Sequence, residues 1–224
     1  MIPYHGGVSG NRQTVPSSPT RTGRPPLTER RKAATRVEIA REAVRLFGEK
    51  GVAATSADEI AAAAGISVRT LWRYFPTKEA CVRPVLSTGI DQAVQGLRDW
   101  PPGKGMAELS NAMERSGEDM LPDVPILLGL VRLTRTEPGL RAVWLQAHDD
   151  AEPLFAAALA ERAGRPGDDL EVRVQAAMIN AALRAAVEQY AWRTDPDTPS
   201  EVDEEGILAA VRAALQTVAR GVPR

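Results

Sequence analysis

The sequence predicts an all-α protein in two unequal parts, a small three-helix unit with a helix-turn-helix at the N-terminus and a larger helical region behind it. Three observations carry this. From Leu27 onward the chain is rich in alanine with apolar residues at helical spacing, and neither strand-type alternation nor an Asn-Gly hairpin signal interrupts it. Short capping signatures crowd residues 56–78. Charge is also divided: residues 1–86 carry 14 basic and 7 acidic side chains and residues 87–224 carry 14 and 22, so the formal net charge of −1 joins parts of +7 and −8. A basic module attached to an acidic remainder suits a chain of which one part meets a polyanion. Two solvated faces of unlike charge are the plain alternative.

Residues 1–26 are rich in Gly, Pro, Ser and Thr and nearly free of large apolar side chains, so they are expected to form a disordered basic arm. A helix-turn-helix domain is expected over 27–76, and a larger helical domain over 77–224. The first helix has Thr28 as its N-cap, an apolar face containing Ile39, Ala40, Ala43, Val44 and Phe47, and Gly51 at its end. Ser56 caps a second helix over 57–64 and Ser67 a third over 68–75, which Pro76 ends. Thr77 caps a fourth helix, in which Pro84 is expected to cause a kink. Breaks rich in Pro and Gly then delimit helices at about 106–120, 124–136, 139–163, 169–193 and 201–220, the last capped by Ser200.

The informative stretch is SADEIAAAAGISVRTLWRYF, residues 56–75. Ile60, Ala64, Ile66 and Leu71 supply a small core, Ala61 is small where the two helices approach, and Gly65 stands at the turn. In this layout the second helix enters the major groove, which admits one helix. Ser67, Val68, Arg69, Thr70 and Arg73 are not needed by the core and project from that helix, where an arginine can bond a guanine edge twice. Trp72 and Tyr74 are two of ten aromatics in the chain, on a helix too small to bury both. Each can donate to a phosphate, and Lys78 adds a cation; partial core packing is the alternative for either ring.

Residues 27–86 resemble the DNA-binding domain of TetR-family transcriptional regulators. The resemblance rests on GRPPLTERRKAATRVEIAREAVRLFGEKGVAATSADEIAAAAGISVRTLWRYFPTKEA, above all on Gly51, Thr55, Ile60-Ala61, Gly65-Ile66-Ser67, Leu71, Tyr74-Phe75 and Lys78-Glu79. It implies that Val68, Arg69 and Arg73 read bases and that Thr55, Trp72, Tyr74 and Lys78 hold phosphates, with Ser67 and Thr70 beside them. Trp72 departs from the tyrosine usual in the family. The resemblance also implies that Arg21, Arg24 and Arg30 can lie along the minor groove, a solvated tail being the alternative.

Helix 169–193 has two apolar stripes, Leu170, Val174, Ala177, Met178, Ala181 and Ala185 on one side and Val172, Ala176, Ile179, Leu183, Val187 and Tyr190 on the other. It therefore has two faces to bury. The resemblance implies a homodimer in which the last two helices of each subunit meet, with Ala177, Ala181, Ala185, Leu208, Val211 and Leu215 at the contact. It further implies an effector pocket, for which Met120, Leu127, Leu130, Val131, Trp144, His148, Phe155 and Met178 are the candidates. The expected partners are a double-stranded palindromic operator, a small-molecule effector of unknown identity and a second copy of the chain. The expected output is ligand-responsive repression.

Other classes fare worse. The apolar run 125–131 is far shorter than the roughly 20 residues of a membrane span, and MIPYHGGVSG lacks the layout of a secretory signal, so the chain is expected to be cytoplasmic with no membrane partner. Its single cysteine, Cys81, excludes an internal disulfide and sits at an inward position. His148 and Glu152 stand four apart on a helix and could serve a metal-dependent enzyme, yet only two histidines exist and no nucleophile elbow or phosphate-binding Gly loop accompanies them. No enzyme activity, cofactor or metal is therefore expected. An interaction protein that kept the fold without the DNA role is the remaining alternative.

Overall fold

The computed structural model describes residues 27–117, 123–193 and 204–221, and every regular element among them is helical. In chain order these are α1 (Leu27–Lys50), α2 (Ala57–Ala63), α3 (Val68–Tyr74), a 3₁₀ turn (Glu79–Val82), α4 (Arg83–Asp99), α5 (Met106–Gly117), α6 (Val124–Leu133), α7 (Pro138–Ala163), α8 (Leu170–Arg193) and α9 (Glu204–Arg220). The arm with Arg21 and Arg24, together with Met120 and Ser200, lies outside the described residues. No described helix is long and apolar enough to cross a membrane.

Two expectations about helix starts need correction. Thr28 falls inside α1, which already runs at Leu27, so it does not cap that helix. Pro84 does not kink a helix either. The Thr77 hydroxyl accepts the Ala80 N–H at 3.1 Å and starts the 3₁₀ turn, after which α4 begins with Pro84 in its first turn. A proline there breaks no hydrogen bond, because the first N–H groups of a helix have no intrahelical partner.

The buried side chains form one continuous cluster from Ile39 to Leu215, so the three-helix unit is packed onto the rest of the chain. α1 rests on α4 and α6, and α7 begins against the 3₁₀ turn. Gly139 makes that approach possible, since a Cβ at this position would stand 3.0 Å from the Glu79 Cγ. One ion pair crosses the same seam, Arg41 with Asp123, and a second, Arg83 with Asp150, joins α4 to α7 behind it. Behind the seam, α4 packs on α5 and α7, α7 on α8, and α8 on α9.

Candidate functional site

The helix-turn-helix is built from local hydrogen bonds that its sequence specifies. Ser56 and Glu59 form a reciprocal capping box, the Glu59 N–H donating to the Ser56 Oγ at 3.2 Å and the Ser56 N–H to the Glu59 Oε2 at 2.8 Å. The Lys50 ammonium and the Ser56 donors hold the Glu59 carboxyl down at about 2. At the end of α2, Gly65 adopts φ +65°, and the next residue, Ile66, donates its N–H to the Ala61 carbonyl at 2.9 Å. Ser67 then caps α3 by accepting the Thr70 N–H at 3.2 Å.

α3 is anchored by one fully buried residue, Leu71, against Ile60 and Ala61 of α2 and Phe75 beyond its end. The residues expected at base edges divide accordingly. Arg69 and Arg73 are exposed, while Val68 is partly buried and packs on the core. Trp72 is 46% exposed, which leaves its indole on the outside of the unit. Tyr74 is half-buried, and its ring lies beneath the guanidinium groups of Arg73 at 5.3 Å and Arg36 at 5.5 Å. Arg36 was not among the sequence candidates. Its pairing with a ring 38 positions later leaves no local signal, and the Arg-Tyr contact places one more cation beside α3.

Four residues expected at phosphates make side-chain hydrogen bonds within the protein, and of these only Thr55 is buried. Thr55 is 1% exposed and donates its hydroxyl to the Gly51 carbonyl at 2.8 Å, so it ties the end of α1 to the start of α2. The Ser67 and Thr70 hydroxyls bond one another at 2.9 Å. The Lys78 ammonium donates to the Val52 and Thr55 carbonyls at 2.6 and 2.9 Å, which uses two of its three N–H groups. In this geometry Thr55 is a positioning residue, and Lys78 joins the α1–α2 turn to the segment after α3. Arg30 is exposed on the first turns of α1 rather than in a preceding arm.

A cavity of about 150 Å³ opens among α4, α5, α6, α7, α8 and α9, lined mainly by apolar groups. Of the expected pocket residues, Leu127, Trp144, His148 and Phe155 line it. Leu130 and Val131 are fully buried elsewhere in the core, and Met178 points outward at 40% exposure. Residues of α4 and α5 that sequence reasoning had not placed there, among them Leu86, Ile90 and Met113, complete the wall. His148 is buried, with Nδ1 2.7 Å from the Asn180 Oδ1 and its ring edge-on to Trp144 at 4.3 Å. Burial holds its imidazole below the ordinary value, against the opposing effect of the Asn180 hydrogen bond. Nearby, Glu188 accepts from the Trp144 Nε1 at 2.7 Å and from Arg141 and Arg184; burial pushes its carboxyl up, but these donors outweigh burial and hold it low.

The two stripes of α8 face opposite ways, as their sequence implies. Val172, Ala176, Ile179 and Leu183 are buried, while Leu170, Val174 and Met178 are exposed large apolar residues, with Ala181 and Ala185 exposed beside them. Ala177 is half-buried at the edge of this outer face. The α9 expectation needs correction: Leu215 is fully buried and Leu208 and Val211 line the cavity, so these three serve the chain's own interior. The outer side of α9 carries Ala209 and Ala213 instead. The metal reading finds no third ligand, because no three His, Cys, Asp or Glu residues come together among the described residues. Cys81 is fully buried, and burial pushes its thiol up to about 12.

Comparison with known proteins agrees with this geometry. Residues 39–85 match the model for bacterial regulatory proteins of the tetR family, and residues 122–223 match the model for the MftR C-terminal domain. The chain is 29% identical over 213 residues to the HTH-type transcriptional regulator TcmR of Streptomyces glaucescens, covering 91% of each. Among solved structures, the fatty acid degradation regulator FadR from Bacillus halodurans superposes with a TM-score of 0.55 at 19% identity, over 85% of this chain and 97% of that one. FadR from Bacillus subtilis, solved in complex with stearoyl-CoA, gives 0.54 at 19% identity over 84% and 99%. These relatives are regulators by name, TcmR of transcription and the FadR of Bacillus halodurans of fatty acid degradation. With the helix-turn-helix at its N-terminus and the helical region packed behind it, the chain belongs to the TetR family of transcriptional regulators.

Proposed function

We propose that this regulator binds a palindromic operator as a homodimer, represses from it, and releases it when a small molecule occupies the cavity. α3 enters the major groove, with Arg69 and Arg73 at base edges and Val68 in apolar contact beside them. Trp72, Tyr74 and the remaining donor of Lys78 meet phosphates. The observation that carries this reading is the outer face of α3, where two exposed arginines and an exposed tryptophan stand on a helix without an acidic residue.

The homodimer reading is supported by the outer face of α8, an apolar stripe that the chain's own core leaves uncovered. Two-fold symmetry would set the recognition helices about 34 to 36 Å apart for successive major grooves. Communication with the cavity is supported by the Arg41–Asp123 pair across the seam and the Arg83–Asp150 pair between α4 and α7. Asp123 precedes the cavity residue Val124, and Asp150 lies two residues beyond His148. A ligand can shift the stance of the three-helix unit only by its differential affinity for the two arrangements.

A gel-shift titration tests the DNA reading. Arg69→Ala or Arg73→Ala is expected to weaken specific binding by roughly 1 to 3 kcal/mol, whereas Lys78→Ala weakens binding to all sequences. Unchanged affinity in all three variants would leave the fold without its DNA role.

A further inference from the structure

The cavity is lined mainly by apolar groups, with Gln92, Ser110, Glu114, His148 and Arg212 among them. Among the described residues, the His148 Nε2 is the buried side-chain polar atom that has no hydrogen-bond partner. His148 is 7% exposed and its ring lines the cavity. Of the two nitrogens of this cavity-lining residue, Nδ1 is turned to Asn180, which leaves Nε2, closed off from solvent, as the nitrogen without a partner.

Which state that nitrogen presents follows from the neighbouring amide. The Asn180 Nδ2 donates to the His148 backbone carbonyl at 2.8 Å, and only the amide's NH₂ can face a carbonyl oxygen. Its Oδ1 therefore faces Nδ1 and accepts, so Nδ1 carries the proton of the neutral ring. The Nε2 lone pair is bare. Trp144, packed edge-on to the ring, cannot serve it, because its own N–H is given to Glu188. Glu188 is in turn occupied by Arg141 and Arg184, so no carboxylate is offered to a cationic ligand from that side. The lining pair Glu114–Arg212 is likewise internally neutralised.

An acceptor buried without a partner is unfavourable, and a ligand that brings a donor removes that penalty while a hydrocarbon or an ether does not. Size sets the second limit, since an apolar cavity of ~150 Å³ takes a molecule of about one aromatic ring. Resting on the reading of this cavity as the effector site, we infer that it selects small, mainly apolar molecules carrying a hydroxyl donor, phenols above all. Their O–H is given to the His148 Nε2 while the ring lies among Trp144, Phe155 and the leucines.

The test compares 4-ethylphenol with 4-ethylanisole, alike in outline but differing in the donor, by titration calorimetry on the full chain. The phenol is expected to bind at least tenfold more tightly, and His148→Leu to bring the two within about twofold. Equal binding in the unaltered protein overturns the donor rule alone. Failure of both probes to bind overturns it together with the effector-site reading. A ¹⁵N spectrum of the histidines needs no substitution, and with two histidines in the chain it is readily assigned. It should show a protonated Nδ1 and a bare Nε2 that shifts with the phenol and not with the ether. A proton on Nε2 in the free protein would overturn the inference.

Discussion

Arg41 grips Asp123 through both carboxylate oxygens, each 2.8 Å from its Nη2. The guanidinium belongs to α1 of the three-helix unit, and the carboxylate stands immediately before α6. Because the two side chains remain 46% and 24% exposed, solvent screens the pair and its direct contribution to stability is small. A double-mutant cycle of Arg41→Ala and Asp123→Ala is expected to give a coupling of about 0.2 to 1 kcal/mol in chemical denaturation. Operator affinity of Arg41→Ala should nevertheless change, since the pair sets how α1 stands on α6. Unaltered affinity would make it surface decoration.

Gly65→Ala is expected to destabilise the protein by roughly 1 to 2 kcal/mol, the penalty of placing a Cβ on left-handed backbone. Nothing lies within 4 Å of the added atom, so conformation alone is responsible. Urea denaturation measures it, and a variant as stable as the parent would show that the turn between α2 and α3 is not left-handed.

At Gly96 crowding replaces conformation. A Cβ there would stand 2.7 Å from the Met113 Cα, where α4 crosses α5, and backbone cannot swing aside as a side-chain tip can. Gly96→Ala should destabilise by about 1 to 3 kcal/mol and, because Met113 lines the cavity, should also alter probe binding. Denaturation and calorimetry on the same variant check both halves.

Glu188→Gln removes the charge that Arg141, Arg184 and Trp144 converge on, leaving two guanidinium groups facing a neutral amide. A loss of roughly 1.5 to 3 kcal/mol is expected, of the size of a hydrogen bond to a charged group. A loss below about 0.5 kcal/mol would mean that the cluster is incidental to the packing of α7 on α8.

His148 gives the stability a pH dependence of known sign. Burial lowers its folded-state value while the unfolded value stays near 6.5, so the unfolded chain takes up the proton first. Asn180 and Glu188 oppose the lowering, and Arg141 and Arg184 reinforce it. The stability contributed by the neutral ring is complete above about pH 6.5 and declines as pH falls toward the folded-state value. His148→Leu should flatten that slope in melting curves taken from pH 7.5 to 5.5.

What could be read from the sequence was local chemistry. Ser56, Ser67, Gly51 and Gly65 act within a few residues of where they stand, and the two stripes of α8 face opposite ways because helical geometry allows nothing else. What escaped depended on distant partners. Thr77 followed by Pro84 fits a kinked helix as well as a 3₁₀ turn leading into a new one, and packing against α7 decides between them. The stripe of Leu208, Val211 and Leu215 reads as a face to be covered, but its phase cannot say whether the chain's own cavity or another subunit covers it. Asn180 left little signal, because α8 also carries Gln175 and Gln189 and the sequence does not say which amide is buried.

α8 presents the Asn180 amide to the His148 ring on one side and an apolar stripe to the exterior on the other. Whatever covers the stripe contacts the same helix that holds the amide. On the proposed reading, in which a second copy covers the stripe and a ligand occupies the cavity, any coupling through α8 would be reciprocal, each changing the other by the same factor. The response threshold would in that way depend on the abundance of the regulator itself, as well as on the concentration of its ligand.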